Sequence, residues 1–139
     1  MHPGKRPRTT LTPSLVLKDG RPHMVFGTQG GDQQDQWSLQ FFLNVVEFGM
    51  DLQEGIDAPT VHTSHFPSSF YPRATALNRM TVEGRIPAET RAALEARGHQ
   101  VVAGGDWDHG RVLAIRMNQH GVMEGAASPR ARMAYAIGW

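Results

Sequence analysis

Two short pairs carry the residues best suited to chemistry, Thr9-Thr10 and Gly30-Gly31. Glycines have no side chain, so their N–H groups can approach a ligand closely. Gly30 and Gly31 stand just before a helix-like run, where unpaired donors and the helix dipole favour negative charge. Two hydroxyls beside them can donate to a carboxylate. The four residues together describe a site for an anionic substrate group, a developing oxyanion, or both. The same residues have an ordinary use. Gly-Gly makes a tight turn before a helix, and adjacent threonines are common in strands. Chemistry alone leaves both readings open.

The element that would bring the pairs together is a hairpin. The segment "LTPSLVLKDGRPHMVFGT" at 11–28 carries Asp19-Gly20, a strong two-residue turn signal, between apolar runs. Turn length fixes register, so this turn places Thr10 opposite Gln29 and Thr9 opposite Gly30. A slip of one residue would still leave them neighbours. The next run, 32–49, reads as a helix with Asp32 as N-cap and Gly49 as terminator. Trp37, Phe41, Val45 and Phe48 recur at helical spacing with Phe42 and Val46 beside them, which predicts a largely buried helix.

Beyond it, 50–60 reads as a short helix ending before Pro59, 61–66 as a strand and 67–78 as an irregular surface loop. Residues 78–85 read as a strand and 86–99 as a helix with Pro87 near its first turn and Gly98 as its cap. A strand at 100–105 and a hairpin at 111–128 around His120-Gly121 follow, and 129–139 has no clear period. The fold class is α/β (α+β): a mostly antiparallel sheet with helices on one face, in one domain spanning 1–139.

Other polar clusters have simpler explanations. His62 and His65, three apart on a strand, point to opposite faces and do not share a metal; they read as surface or loop histidines. In "GGDWDHG", the flanking glycines predict a turn in which Trp107 packs and Asp106, Asp108 and His109 have no catalytic part. Asp35 reads as an exposed first-turn residue.

Composition narrows the classes further. The 139 residues carry a formal net charge of +1, so no electrostatic case exists for a nucleic acid partner. The basic "GKRPR" at 4–8 reads as a solvated arm. Cysteine is absent, which excludes disulfides, thiolate metal sites and a cysteine nucleophile. No apolar run approaches the length of a membrane span. No cofactor is expected.

The strings "KRPRTTLTPSLVLKDGRP" and "FGTQGGDQQDQWSLQFFLNVVEFGMDLQEGIDAP", with "LEARGHQV" at 94–101 and the closing "GAASPRARMAYAIGW", resemble the C-terminal part of the γ-glutamyltransferase (γ-glutamyltranspeptidase) family. The resemblance runs nearly the whole chain. It implies an N-terminal nucleophile hydrolase with an αββα sandwich. In such enzymes a precursor cleaves itself before a threonine. That threonine attacks a γ-glutamyl amide such as glutathione, and the acyl-enzyme passes to water or to an amine. The resemblance assigns Gly30 and Gly31 to the oxyanion hole and Thr9 and Thr10 to the substrate α-carboxylate.

Two departures accompany it. Many family members have Ser-Pro-Gly-Gly where this chain has Thr28-Gln29-Gly30-Gly31, and paired serines where it has Thr9-Thr10. Both point to a divergent branch and open the way to a different γ-glutamyl or acyl substrate. The nucleophile segment and the large-subunit arginine that pairs with substrate have no match here. The chain is therefore expected to be a fragment, inert alone, whose partner is the remainder of the enzyme. In isolation it should expose an apolar face and form a homo-oligomer. The alternative is a non-catalytic module for small-anion binding or dimerisation.

Overall fold

Asp19 and Gly20 both take positive φ, 52° and 74°, the backbone of a tight two-residue hairpin turn. They join β1 (Ser14–Lys18) to β2 (Arg21–Gly27) in a computed structural model that describes residues 2–7, 9–130 and 134–138. The omitted positions include Arg8 of the basic arm and residues 131–133 and Trp139 of the closing segment.

The hairpin opens in the expected register, Lys18 with Arg21 and Leu17 with Pro22. A bulge then shifts it by one, so that Val16 pairs with Met24 and Ser14 with Phe26. Pairing stops there, because Pro13 has no N–H to continue the ladder. Thr10 therefore does not pair with Gln29, nor Thr9 with Gly30, and the expected strand-to-strand contact is corrected.

The strand order of the larger sheet is β1-β2-β6-β7, all antiparallel, with β6 at Leu113–Met117 and β7 at Met123–Ala127. The β6–β7 turn is the predicted one. Asn118 Oδ1 accepts from His120 N–H at 2.9 Å and Val122 N–H at 3.0 Å, and Gly121 takes φ 76°. Inward residues Met24, Ala114 and Ala126 meet Phe41, Leu52 and Ile56 from helices α1 (Gln34–Val46) and α2 (Leu52–Asp57). Their neighbours Leu15, Val25, Leu113 and Ile115 alternate to the opposite face and are exposed. Helices on one face of a mostly antiparallel sheet is the predicted class.

A second, three-stranded sheet stands apart, ordered β3 (Val61–Thr63), β4 (Arg79–Val82), β5 (Gln100–Ala103). Its β4–β5 pair is parallel and joined by α3 (Ala88–Ala96), which a single antiparallel sheet did not anticipate. Gly98 at φ 92° ends α3 as predicted, and Gly49 at φ 71° follows α1.

Two expectations for α1 are corrected. Asp32 is not its N-cap: a 3₁₀ turn at Gly31–Gln33 precedes it, and the Asp32 carboxylate is drawn away by a distant loop. Nor is the helix largely buried. Trp37 and Phe41 are, but Leu39 and Val46 are 57% and 55% exposed, since only one side of α1 faces the sheet, and Phe48 lies beyond its end. A reciprocal capping box starts α2: Asp51 Oδ1 accepts from Glu54 N–H at 2.7 Å and Glu54 Oε2 from Asp51 N–H at 3.0 Å.

A buried ion pair joins the parts. Arg130 Nε and Nη2 donate to Glu83 Oε1 and Oε2 at 2.6 and 2.7 Å, with both side chains fully enclosed. The guanidinium also donates to Ile56 O at 2.6 Å and Ala58 O at 2.9 Å, and Glu83 accepts from Thr60 and His109 N–H. One network thus fixes α2, the small sheet and the loop before β6. Among the described residues no helix is long and apolar enough to cross a membrane.

Candidate functional site

Gly30 and Gly31 form the connection from β2 to α1 with φ of 137° and 72°. Both values lie where side chains are strained, so the sequence needs glycine at each. Space repeats the demand at Gly30, where an added Cβ would sit 2.3 Å from Trp37 Cζ3. At Gly31 it would lie 3.3 Å from Phe70 Cε2. The Gly31 carbonyl accepts from Gln34 N–H. Among the described residues neither the Gly30 nor the Gly31 N–H has an internal acceptor. Both lie just before a thirteen-residue helix, whose dipole adds positive potential there.

Thr10 reaches the same turn by a side-chain route. Its Oγ1 accepts from Gln34 Nε2 at 3.2 Å, and Gln34 is buried at the start of α1. Thr9 is exposed, and its Oγ1 accepts from Leu11 N–H at 3.2 Å. A cleft of about 630 Å³ opens beside these residues, lined by Thr12, Thr28, Gln29, Gln34, Arg111 and Leu113. Its walls are mainly apolar with a few polar groups, as small-molecule sites are.

Behind Gly30 lies an aromatic cluster. The Trp37 ring stacks on His109 at 6.1 Å, and His62 meets both edge-on, at 5.4 Å from Trp37 and 4.9 Å from His109. Burial pushes His62 down to about 4, helped by the charges of His109 and Arg79, so it is neutral at pH 7. His62 is therefore not a surface histidine, which corrects that expectation. A strand of three residues gave no pattern from which to foresee its packing. His65 stays in the loop, its Nδ1 3.4 Å from Asn78 N–H.

The 104–110 segment is a turn as predicted. Asp108 accepts from Gly105 N–H, and Trp107 packs under Arg85, whose guanidinium carbon is 3.5 Å from the ring centroid. Among the described residues no three His, Asp or Glu side chains converge as a metal site requires.

The family model for γ-glutamyltranspeptidase matches residues 1–138. The chain belongs to the γ-glutamyltranspeptidase family. It is 33% identical over 132 residues to the glutathione hydrolase-like YwrD proenzyme of Bacillus subtilis, covering 94% of this chain and 24% of that protein. The solved chain LmbA2991HD superposes with a TM-score of 0.92 at 50% identity, over 99% of this chain and 25% of the other. The γ-glutamyltranspeptidase of Pseudomonas nitroreducens complexed with L-DON superposes with a TM-score of 0.77 at 27% identity, over 100% of this chain and 67% of that one. This γ-glutamyltranspeptidase-family chain thus spans about a quarter of the length of the relatives matched end to end. The mixed α/β architecture is that of the family's N-terminal nucleophile hydrolases. Family members are enzymes, made as precursors that are processed into large and small subunits.

Proposed function

We propose that this chain is the C-terminal part of an enzyme that transfers or hydrolyses the γ-glutamyl group of glutathione or a related amide. Gly30 and Gly31 form the oxyanion hole, and Thr9 and Thr10 hold the substrate carboxylate. The nucleophilic threonine comes from the remainder of the enzyme. Its hydroxyl adds to the amide carbonyl while its own α-amine takes the proton. The carbonyl oxygen becomes an oxyanion at the Gly30 and Gly31 N–H groups. Collapse of the tetrahedral species expels the amine, which takes the proton, and leaves an acyl-enzyme ester. Water or an acceptor amine then repeats the sequence and frees the threonine.

The observation that carries this reading is the pair of N–H groups at Gly30 and Gly31, left without internal acceptors among the described residues on a backbone only glycine adopts comfortably. The Thr10–Gln34 contact, which ties the threonine segment to the same helix start, adds to it. The exposed outer face of the large sheet supports the need for a covering layer. A hollow of about 770 Å³ runs over that face, between Leu15, Val25, Ile115, Met123, Tyr135 and Ile137.

The test belongs on the N–H itself. Proline at position 31 is unsuitable, since its ring fixes φ near −65° and Gly31 needs 72°. Replacing Gly31 by glycolate, its ester analogue, deletes the donor and keeps the backbone. In the complete enzyme kcat should fall roughly 10²–10³-fold, the usual effect of losing one oxyanion donor. Thr10→Val should instead raise KM more than it lowers kcat. An unchanged kcat in the glycolate enzyme would reduce Gly30-Gly31 to a plain turn.

A further inference from the structure

The loop 64–78 does more than connect β3 to β4. It folds back onto the Gly30-Gly31 turn, and Asp32 fixes it there. Asp32 Oδ2 accepts from Ser68 Oγ at 3.0 Å and from Ser69 N–H at 2.7 Å, across 36 and 37 residues of sequence. Ser68 Oγ in turn accepts from Phe70 N–H at 3.1 Å, and Ser68 N–H and Ala74 O close the loop at 2.9 Å. The result is a short rigid chain of contacts from Asp32 to the backbone of Phe70. It seats the Phe70 ring against Gly31, with Cε2 and Cζ 3.3 and 3.8 Å from where a Cβ would stand. Yet Phe70 is 60% exposed. Contact with Gly31 is what distinguishes Phe70 from Phe66 and Tyr71, which are exposed in the same loop.

We propose that Phe70 is a specificity-determining residue, an apolar wall for the leaving-group side of the substrate, and that Asp32 is the positioning residue that holds it. This rests on the oxyanion reading of Gly30-Gly31. A carbonyl bound at that turn has two substituents. The acyl side goes to the threonine segment, which arrives from the side of the large sheet. Phe70 arrives from the loop of the small sheet, and the proposal assigns it the amine side. The substrate class is an amide whose amine carries a flat or branched apolar group close to the nitrogen. A ring face against a ring gains more than one against water, by an amount seen in aromatic pairs.

The experiment compares two γ-glutamyl amides in the complete enzyme, an anilide and glutamine. They share the acyl group and differ at the amine. Phe70→Ala should lower the ratio of kcat/KM for anilide over glutamine by about fivefold, mostly through KM. Phe70→Leu should recover part of it. Asp32→Ala should move the ratio in the same direction although Asp32 does not meet the amine, and Asp32→Asn, which keeps an acceptor oxygen, should rescue it. A ratio unchanged by Phe70→Ala would overturn the proposal. So would equal losses on both amides, which would make Phe70 a prop for the turn. Phe70→Leu separates a folding failure from either result, because it keeps an apolar side chain in place. Loss of the glycolate effect at Gly31, with the ratio still sensitive to Phe70, would sink the oxyanion reading while leaving a wall beside a different reacting centre. Failure of the complete enzyme to turn over either amide would sink both.

Discussion

Arg130→Met is the perturbation whose cost follows most directly from the structure. The Arg130 and Glu83 side chains are both 0% exposed, and the bidentate contacts are 2.6 and 2.7 Å. Methionine fills much of the arginine volume but leaves Glu83 as a buried charge without its main partner. Breaking a buried pair in this way costs about 3–5 kcal/mol. Two features place the cost near the lower end. Glu83 keeps the N–H donors of Thr60 and His109, and Arg85 Nη2 still donates at 3.0 Å from a half-buried position. A third acts the other way, since the Ile56 and Ala58 carbonyls lose their donor.

A loss of about 3 kcal/mol, divided by an unfolding entropy of about 2.1 cal/mol/K per residue, lowers Tm by roughly 10 °C for a chain of 139 residues. Thermal unfolding of the purified chain followed by circular dichroism reads this directly. The companion double variant Glu83→Leu with Arg130→Met removes both charges and should regain most of the loss, because matched apolar replacements of buried pairs are often neutral. The reasoning fails if the single variant drops Tm by less than about 3 °C, or if the double variant is no more stable than the single.

Two further outcomes can be measured on the same chain. Since the His62 pKa falls from 6.5 to about 4 on folding, the unfolded chain binds the proton more readily. That contribution to stability is complete above about pH 6.5 and is lost as pH falls toward 4. His62→Phe should flatten denaturant midpoints across this window, and an unchanged slope would refute the assignment. The exposed outer face of the large sheet should drive self-association, so sedimentation equilibrium should return a dimer or larger species; a monomer at high concentration refutes this.

What was legible in the sequence was local. Asp19-Gly20, His120-Gly121, Gly49 and Gly98 each announce a turn or helix end within a few residues, and each stands where it was read. What was missed depends on partners far along the chain. Asp32 reads as a cap because capping chemistry is short-range, but Ser68 and Ser69 take its carboxylate. The hairpin register was right for two pairs and then displaced by a bulge at His23, beside Pro22, a residue type that strands accommodate at bulges. The Glu83–Arg130 pair bridges 47 residues, and the one available hint was a carboxylate directly after the buried Val82.

If Gly30 and Gly31 act as the oxyanion donors proposed above, the structure offers a physical reason for precision at the turn. An oxyanion donor is effective only if its direction is fixed before the charge appears. Glycine alone would leave the turn loose, since it loses most on ordering. Here Trp37 closes one side of Gly30, backed by His109 and His62, and Phe70 closes one side of Gly31, backed by Asp32. Both supports come from outside the turn, one from α1 and one from the loop 64–78. The absence of side chains at 30 and 31 is thus what lets neighbouring rings reach the backbone and hold it. On the proposed reading, rings packed into the space a Cβ would fill would fix the direction of the two N–H groups.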